Sequence, residues 1–417
     1  MITATGLELR VSSQLLLGDT TFRIAPGDRV GLVGRNGAGK TTLTRVLSGE
    51  SQPAAGAVTR SGSVGYLPQD PRTGDLEVLA RDRILSARGL DTVVRRMRTT
   101  EGEMASADAE THEKAMRRYV RLEAEFQAAG GYAAESEAAS FASSLGLPDR
   151  VLEQPLRTLS GGQRRRVELS RILFASTGSD ATLLLDEPTN HLDADSIVWL
   201  RDYLGSYKGG LVVISHDVGL LEHTVTRVFH LDANRAELDI YNVGWKAYLL
   251  QRETDERRRK RERANVEKQA SVLKAQADRM RYKATKARAA QSMDKRAAKL
   301  LSGLDEVRRT DRVAKLRFPE PAPCGKTPLT AEGLSKSYGS LEVFTDVDLA
   351  IDRGSRVVIL GLNGAGKTTL MRLLAGVEEP DTGEVLPGHG LKIGYYAQEH
   401  ETLDPERTVL QNMRSAA

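Results

Sequence analysis

The sequence predicts an α/β protein built around a phosphate-binding loop, present in two copies that a long, basic, helix-forming segment separates. Three observations carry this. The pattern GxxxxGK[ST] occurs twice, as GRNGAGKT from Gly34 and GLNGAGKT from Gly361. Short apolar runs, Val30 to Val33, Leu183 to Leu185 and Leu211 to Ile214, read as strands of a parallel sheet buried on both faces. The segment from Gly6 to Gly34 aligns without a gap, at an offset of 327, with Gly333 to Gly361, and both copies continue into NGAGKTTL.

The 417 residues suffice for two or three domains. With 40% apolar and 28% charged residues the chain reads as globular, and no apolar run approaches the roughly 20 residues of a bilayer-spanning helix. The N-terminus has no basic stretch before an apolar one, so a cytoplasmic protein is expected. Cys324 is the only cysteine, which excludes an internal disulfide and a cysteine metal cluster.

In chain order, residues 1–244 form the first copy. Its phosphate loop follows Val30–Val33 and opens a helix-forming stretch, and an Ala-rich charged region over about 75–145, interrupted by GGY at 130–132, reads as a helical subdomain. Residues 245–318 follow, with one Gly and no Pro. Val266, Ala270, Leu273, Ala277 and Met280, then Met293, Ala297, Leu300, Leu304 and Val307, step 4, 3, 4, 3, the spacing of a coiled-coil seam. Two such stripes around RYKATKAR (281–288) predict a helical hairpin with a basic tip; one continuous helix is the alternative. Residues 251–318 hold 22 Lys and Arg against 10 Asp and Glu, which points to an anionic partner or a solvated face. Residues 327–417 repeat the start of the first copy, with RVVIL as the strand before the second loop and GYYAQ matching GYLPQ.

The chemistry follows from residue types at fixed spacing. In each loop the glycines (Gly34, Gly37, Gly39; Gly361, Gly364, Gly366), with Asn36 and Asn363, let backbone N–H groups wrap phosphates. Lys40 and Lys367 neutralise the phosphate charge, Thr41 and Thr368 ligate Mg²⁺, and Thr42 and Thr369 follow in the opening helix. In ATLLLDEPTNHLD an apolar run precedes two acids: Asp186 suits Mg²⁺ and Glu187 a water-activating role. His216, in LVVISHD, leaves a strand where it can touch a γ-phosphate.

LSGGQRRRVELS, from Leu159, resembles the signature of the ATP-binding cassette family, and the order of phosphate loop, Gln69, LSGGQ, LLLDE and SH matches that family. EPTNHLD, the tandem copies and the basic linker resemble its ABC-F subfamily of ribosome-associated ATPases, which includes translation factors and antibiotic-resistance factors; KATKARAAQS and GGYAAESEAASFASSLGLP add to the likeness. The resemblance implies two ATP sites. Gln69 and Gln398 face the nucleotides, Gln69 as a catalytic and metal-site residue. Ser160, Gly161 and Gly162 cap the γ-phosphate held by Lys367 in a head-to-tail pair. Arg281, Lys283, Lys286 and Arg288 belong to a linker that reaches ribosomal RNA and the P-site tRNA. Tyr338 stands where such cassettes stack adenine, but Val11 holds the equivalent place in the first copy.

A second cassette without signature, acidic strand or switch His implies a truncated protein, poor as an ATPase alone unless two copies pair as a homodimer. The rival readings are a DNA-binding ATPase of related architecture and the ATPase subunit of a transporter.

Overall fold

In β1 (Ile2–Val11) the residues Ile2 and Ala4, then Leu7 and Leu9, face inward, and the step of three between Ala4 and Leu7 is taken up by a register shift in the strand pairing. The computed structural model describes all residues except 70–74, 105–108, 177–179, 282–286, 303–324, 340, 362–363, 397–403, 405 and 416–417. It divides into two units, Met1–Asp311 and Arg312–Ala417.

The first unit opens with β1, β2 (Gln14–Ile24), β3 (Arg29–Gly34), α1 (Lys40–Ser48), β4 (Ala55–Arg60) and β5 (Val64–Leu67). Helices α2 (Ala80–Leu85), α3 (Asp91–Met104), α4 (Ala109–Ala128), α5 (Gly131–Ser144), α6 (Asp149–Leu152) and α7 (Gly161–Ala175) follow. Then come β6 (Thr182–Asp186), α8 (Ala194–Ser206), β7 (Gly210–Ile214), α9 (Val218–Thr224), β8 (Arg227–Asp232) and β9 (Glu237–Tyr241). Strands β2-β1-β4 form an antiparallel sheet, while β5-β6-β7-β3-β8 run parallel and β9 closes that sheet as an antiparallel edge. α1 lies in the layer between them: Leu43, Val46 and Leu47 share a core with Ile2, Leu9 and Phe22 of the small sheet and with Leu184, Val212 and Phe229 of the large one. β6 and β7 are buried along their whole length, as their uninterrupted apolar runs require.

On the other face a second core joins Leu183, Leu185 and Val213 to Leu169, Leu173 and Phe174 of α7 and to Leu122, Phe126 and Phe141 of the inserted helices. The GGY stretch marks the α4–α5 junction: Gly130 takes φ +71° as the N-cap of α5, and Gly131 and Tyr132 are that helix's first residues.

α10 (Trp245–Arg281) roots in this core through Tyr248, and α11 (Ala287–Ser302) packs against it. Ala270, Ala277 and Ala297 are buried along the expected seam, with Val266, Leu273, Met293 and Leu300 half-buried. Leu304 and Val307 lie outside the described residues. Two helices thus stand where one continuous helix was the alternative. Among the described residues no helix is long and apolar enough to cross a membrane.

The second unit has β10 (Leu329–Tyr338), β11 (Leu341–Ile351), α12 (Lys367–Leu374), β12 (Thr382–Pro387) and α13 (Val409–Ser415). Its sheet, β11-β10-β12, reproduces β2-β1-β4 to the residue. Leu329 faces Ile351 and Tyr338 faces Leu341 as Ile2 faces Ile24 and Val11 faces Gln14, with register shifts at equivalent steps. The expected strand at RVVIL is corrected: Arg356 to Leu360 have no regular structure, so the second loop does not follow a strand. Val30 and Leu32, in β3, are clamped between β7 and β8. Their counterparts Val357 and Ile359 have no strand beside them among the described residues, and Val358 and Leu360 are 76% and 85% exposed. A parallel strand needs ladder partners on its flanks, and an apolar run does not form one without them.

Candidate functional site

The site forms where the parallel strands β3, β6 and β7 end together, the usual binding edge of an open α/β sheet. β3 passes through Gly34 and a loop into α1. Gly39 takes φ +100°, and a Cβ there would stand 2.9 Å from Leu16 Cδ1; one on Gly34 would stand 2.6 Å from the Leu231 carbonyl oxygen. Only glycine fits both places. The first turn of α1 carries no acidic residue and no side-chain cap, so its N–H groups and positive dipole end remain open to an anion.

Lys40 Nζ donates to the carbonyls of Gly34 (2.9 Å) and Arg35 (3.1 Å), which holds the ammonium across the loop. Its burial lowers the lysine pKa, against the opposing pull of Asp186 and Glu187. Thr41 Oγ1 donates to Asp186 Oδ2 at 2.8 Å. Asp186, at the end of β6, is buried, and burial pushes its carboxyl pKa up while Thr41, Arg165 and Lys40 resist. Glu187 follows at φ +50°, its amide donating to the Ile214 carbonyl at 2.8 Å. Its carboxylate accepts from the His216 backbone N–H at 3.2 Å and lies 3.4 Å from His216 Nε2. Burial again raises its pKa, and the amide and ring of His216 oppose the rise.

These groups line one open cleft of about 600 Å³, together with Asn36, Gly37, Thr42 and Gln69. Gln14, which lies in no motif, and Asn190, which lies in EPTNHLD without a role assigned to it, also line it. Val11, half exposed at the mouth, offers no aromatic face.

The signature lies at the start of α7. Ser160 is its N-cap: the Gln163 N–H donates to Ser160 Oγ at 3.2 Å, and the Ser160 N–H donates to Gln163 Oε1 at 3.0 Å, a complete capping box. Ser160 is exposed, and Gly161 and Gly162 form the first turn, with His191 3.2 Å from where a Gly162 Cβ would be. Two buried arginines follow within LSGGQRRRVELS, neither with a role assigned to it. Arg165 reaches four peptide carbonyls around the site, and Arg166 donates to the Gly146 carbonyl at 2.8 Å.

In the second unit Lys367 Nζ donates to the Gly361 carbonyl at 2.9 Å, as Lys40 does to Gly34, and Gly364 and Gly366 keep positive φ. Thr368 and Thr369 lie in the first turn of α12. Tyr338 is 46% exposed, its hydroxyl donating to Glu378 Oε1 at 2.6 Å. Asn363 and Gln398 lie outside the described residues, as do Lys283 and Lys286. Arg281 is the last residue of α10, and Arg288 the second of α11.

The oxygen pair of Thr41 and Asp186 fits Mg²⁺, which takes one or two protein ligands and fills its shell from phosphates and water. Among the described residues no cluster of three or more His, Cys, Asp or Glu could hold a metal without such help.

A family profile described as ABC transporter matches residues 17–190 and 344–417, and a second with the same description matches 231–318. The probable ATP-binding protein YheS of Escherichia coli is 32% identical over 420 residues, covering 100% of this chain and 63% of YheS. The energy-dependent translational throttle protein EttA of Haemophilus influenzae is 31% identical over 407 residues, 95% of this chain and 70% of EttA. The putative ATP-binding protein YdiF of Bacillus subtilis is 30% identical over 401 residues, 95% of this chain and 62% of YdiF. The chain thus spans under two thirds of the length of YheS and of YdiF. The similarity runs through loop, signature and linker alike, and on that ground the chain belongs to the ABC-F family of ATP-binding cassette proteins.

Proposed function

We propose that the chain binds ATP over the N-terminus of α1 and hydrolyses it, and that the cycle acts on the ribosome. The observation that carries the first part is the convergence of Lys40, the Thr41–Asp186 pair and the Glu187–His216 pair on one cleft. Lys40 and the loop amides hold the phosphates, and Thr41, Asp186 and Gln69 hold Mg²⁺, which when bound offsets charge on the transferring phosphoryl group. Glu187 orients and deprotonates the attacking water, and the exposed His216 ring reaches the γ-phosphate. Tyr338, with Lys367, Thr368 and Thr369, serves the second nucleotide, whose γ-phosphate Ser160, Gly161 and Gly162 cap.

Glu187→Gln should keep ATP affinity and slow single-turnover hydrolysis by about 10²-fold or more, the scale of a missing general base. Lys40→Ala should weaken ATP binding by roughly 2–3 kcal/mol, the worth of a charge-assisted hydrogen bond. Wild-type hydrolysis in the first variant, or wild-type affinity in the second, would remove that residue from its role.

The ribosomal part is supported by the translational action named for the similar EttA and by the basic surplus of residues 251–318. Replacing Arg281, Lys283, Lys286 and Arg288 with Ala should weaken ribosome co-sedimentation and shallow its dependence on log salt, by up to about one unit for each phosphate no longer neutralised. Identical co-sedimentation at every salt concentration would refute phosphate binding at this tip. A translation or resistance role then follows from which ribosomes are bound, in a cytoplasmic protein.

A further inference from the structure

We propose that Arg165 is a positioning residue for hydrolysis, a buried guanidinium that fixes the two backbone segments carrying Gln69 and Glu187. The inference rests on the ATP-hydrolysis reading above. Arg165 lies in the second turn of α7 and is 5% exposed. Its Nη1 donates to the carbonyls of Pro68 (3.2 Å) and Gln69, and its Nη2 to those of Asp186 (2.7 Å) and Glu187 (2.9 Å).

Pro68, Gln69 and Glu187 lie just beyond their strands, and Asp186 is the last residue of β6, paired with Ile214 of β7 but no longer with β5. β5 and β6 pair as far as Leu67 opposite Leu185, and beyond that step the ladder ends. The guanidinium extends the pairing: one nitrogen takes the two carbonyls that follow β5, the other the two at the end of β6. Glu187 needs such a hold, because φ +50° is unfavourable for a residue with a side chain and persists only where its surroundings impose it. Its amide is fixed on the Ile214 carbonyl and its own carbonyl on Arg165, so both peptide groups of the strained residue are pinned. A planar fork of donors can span both segments; a lysine ammonium, a single point on a flexible stem, cannot hold all four carbonyls at these positions.

Arg165→Lys keeps the charge and breaks the span, and hydrogen exchange with single-turnover kinetics on the whole chain tests it. The variant should exchange about tenfold faster in peptides covering 66–69 and 184–190, with β3 unchanged, since only local opening is affected. ATP affinity should stay within about twofold while hydrolysis slows about tenfold or more, and in a Glu187→Gln background Arg165→Lys should cost nothing further, as expected of residues acting as a unit. Unchanged exchange, unchanged hydrolysis, or an equal loss in the Glu187→Gln background would overturn the proposal. If Glu187→Gln itself hydrolyses normally, the role of Glu187 fails, while the exchange result still decides whether Arg165 holds the segments.

Discussion

At Asp186 folding and chemistry pull in opposite directions. Burial raises its carboxyl pKa above the unfolded value, so the native state holds the proton more tightly. As pH rises through the interval between those two values the unfolded chain loses its proton first, and stability falls. Asp186→Asn should therefore raise the melting temperature of the nucleotide-free chain at pH 7, with the advantage shrinking as pH drops into the ordinary carboxylate range. It should also weaken Mg²⁺-dependent ATP binding about tenfold or more by removing an ionic ligand. Thermal melts across pH check the first half; a variant that melts below wild type at pH 7 contradicts it. The residues of this centre were legible in the sequence because phosphate chemistry demands particular side chains at particular spacings. Arg165 was not, because it binds peptide carbonyls, which every sequence supplies. A faint signal existed: Arg165, Leu169 and Ile172 step 4 and 3 along α7, which puts the arginine on the buried stripe.

Among the elements, α7 shows one side chain serving a fold and a site. The Ser160 hydroxyl accepts the Gln163 N–H and also stands at the exposed helix start proposed to meet a γ-phosphate. Ser160→Ala should cost about 1 kcal/mol of stability through the missing cap. Ser160→Asp should keep stability within about 0.5 kcal/mol, since Asp caps as well as Ser, yet repel the phosphate and suppress ATP-driven cassette pairing. Urea melts and light scattering with ATP separate the two effects; equal pairing by Ser160→Asp and wild type would take Ser160 out of the nucleotide site. Among the parallel strands of the first unit, β3, β6 and β7 were readable as short apolar runs, because a strand buried on both faces requires one, while β5 and β8 were not read; the seam positions of α10 and α11 that lie among the described residues followed from the 4, 3 spacing. RVVIL carried the same apolar signal and misled, because a strand also depends on neighbours that its own residues do not encode.

For the whole molecule, the contrast between the two units becomes a measurable difference in stability. The first has two cores that include Phe126, Phe141, Phe174, Phe229 and Tyr248. Among the described residues of the second, the buried apolar side chains are Ala331, Leu334, Leu373 and Leu374, with partly buried neighbours, and Tyr396 is 89% exposed like Val358 and Leu360. Hydrophobic burial scales at about 25 cal/mol per Å², so the second unit gains little against the entropy of ordering its chain. The chain should therefore unfold in two steps, with the second unit melting first and at an intrinsic stability of about 2 kcal/mol or less. Both tryptophans, Trp199 and Trp245, lie in the first unit, packed at its core, so their fluorescence reports that unit alone. In urea, far-UV ellipticity should show an early loss to which Trp fluorescence is blind, followed by a transition common to both probes. An apolar dye should bind the native chain through the exposed run, and Val358→Asp with Leu360→Lys should lower that binding without moving the tryptophan midpoint. Coincident ellipticity and fluorescence curves would show instead that the two units unfold as one.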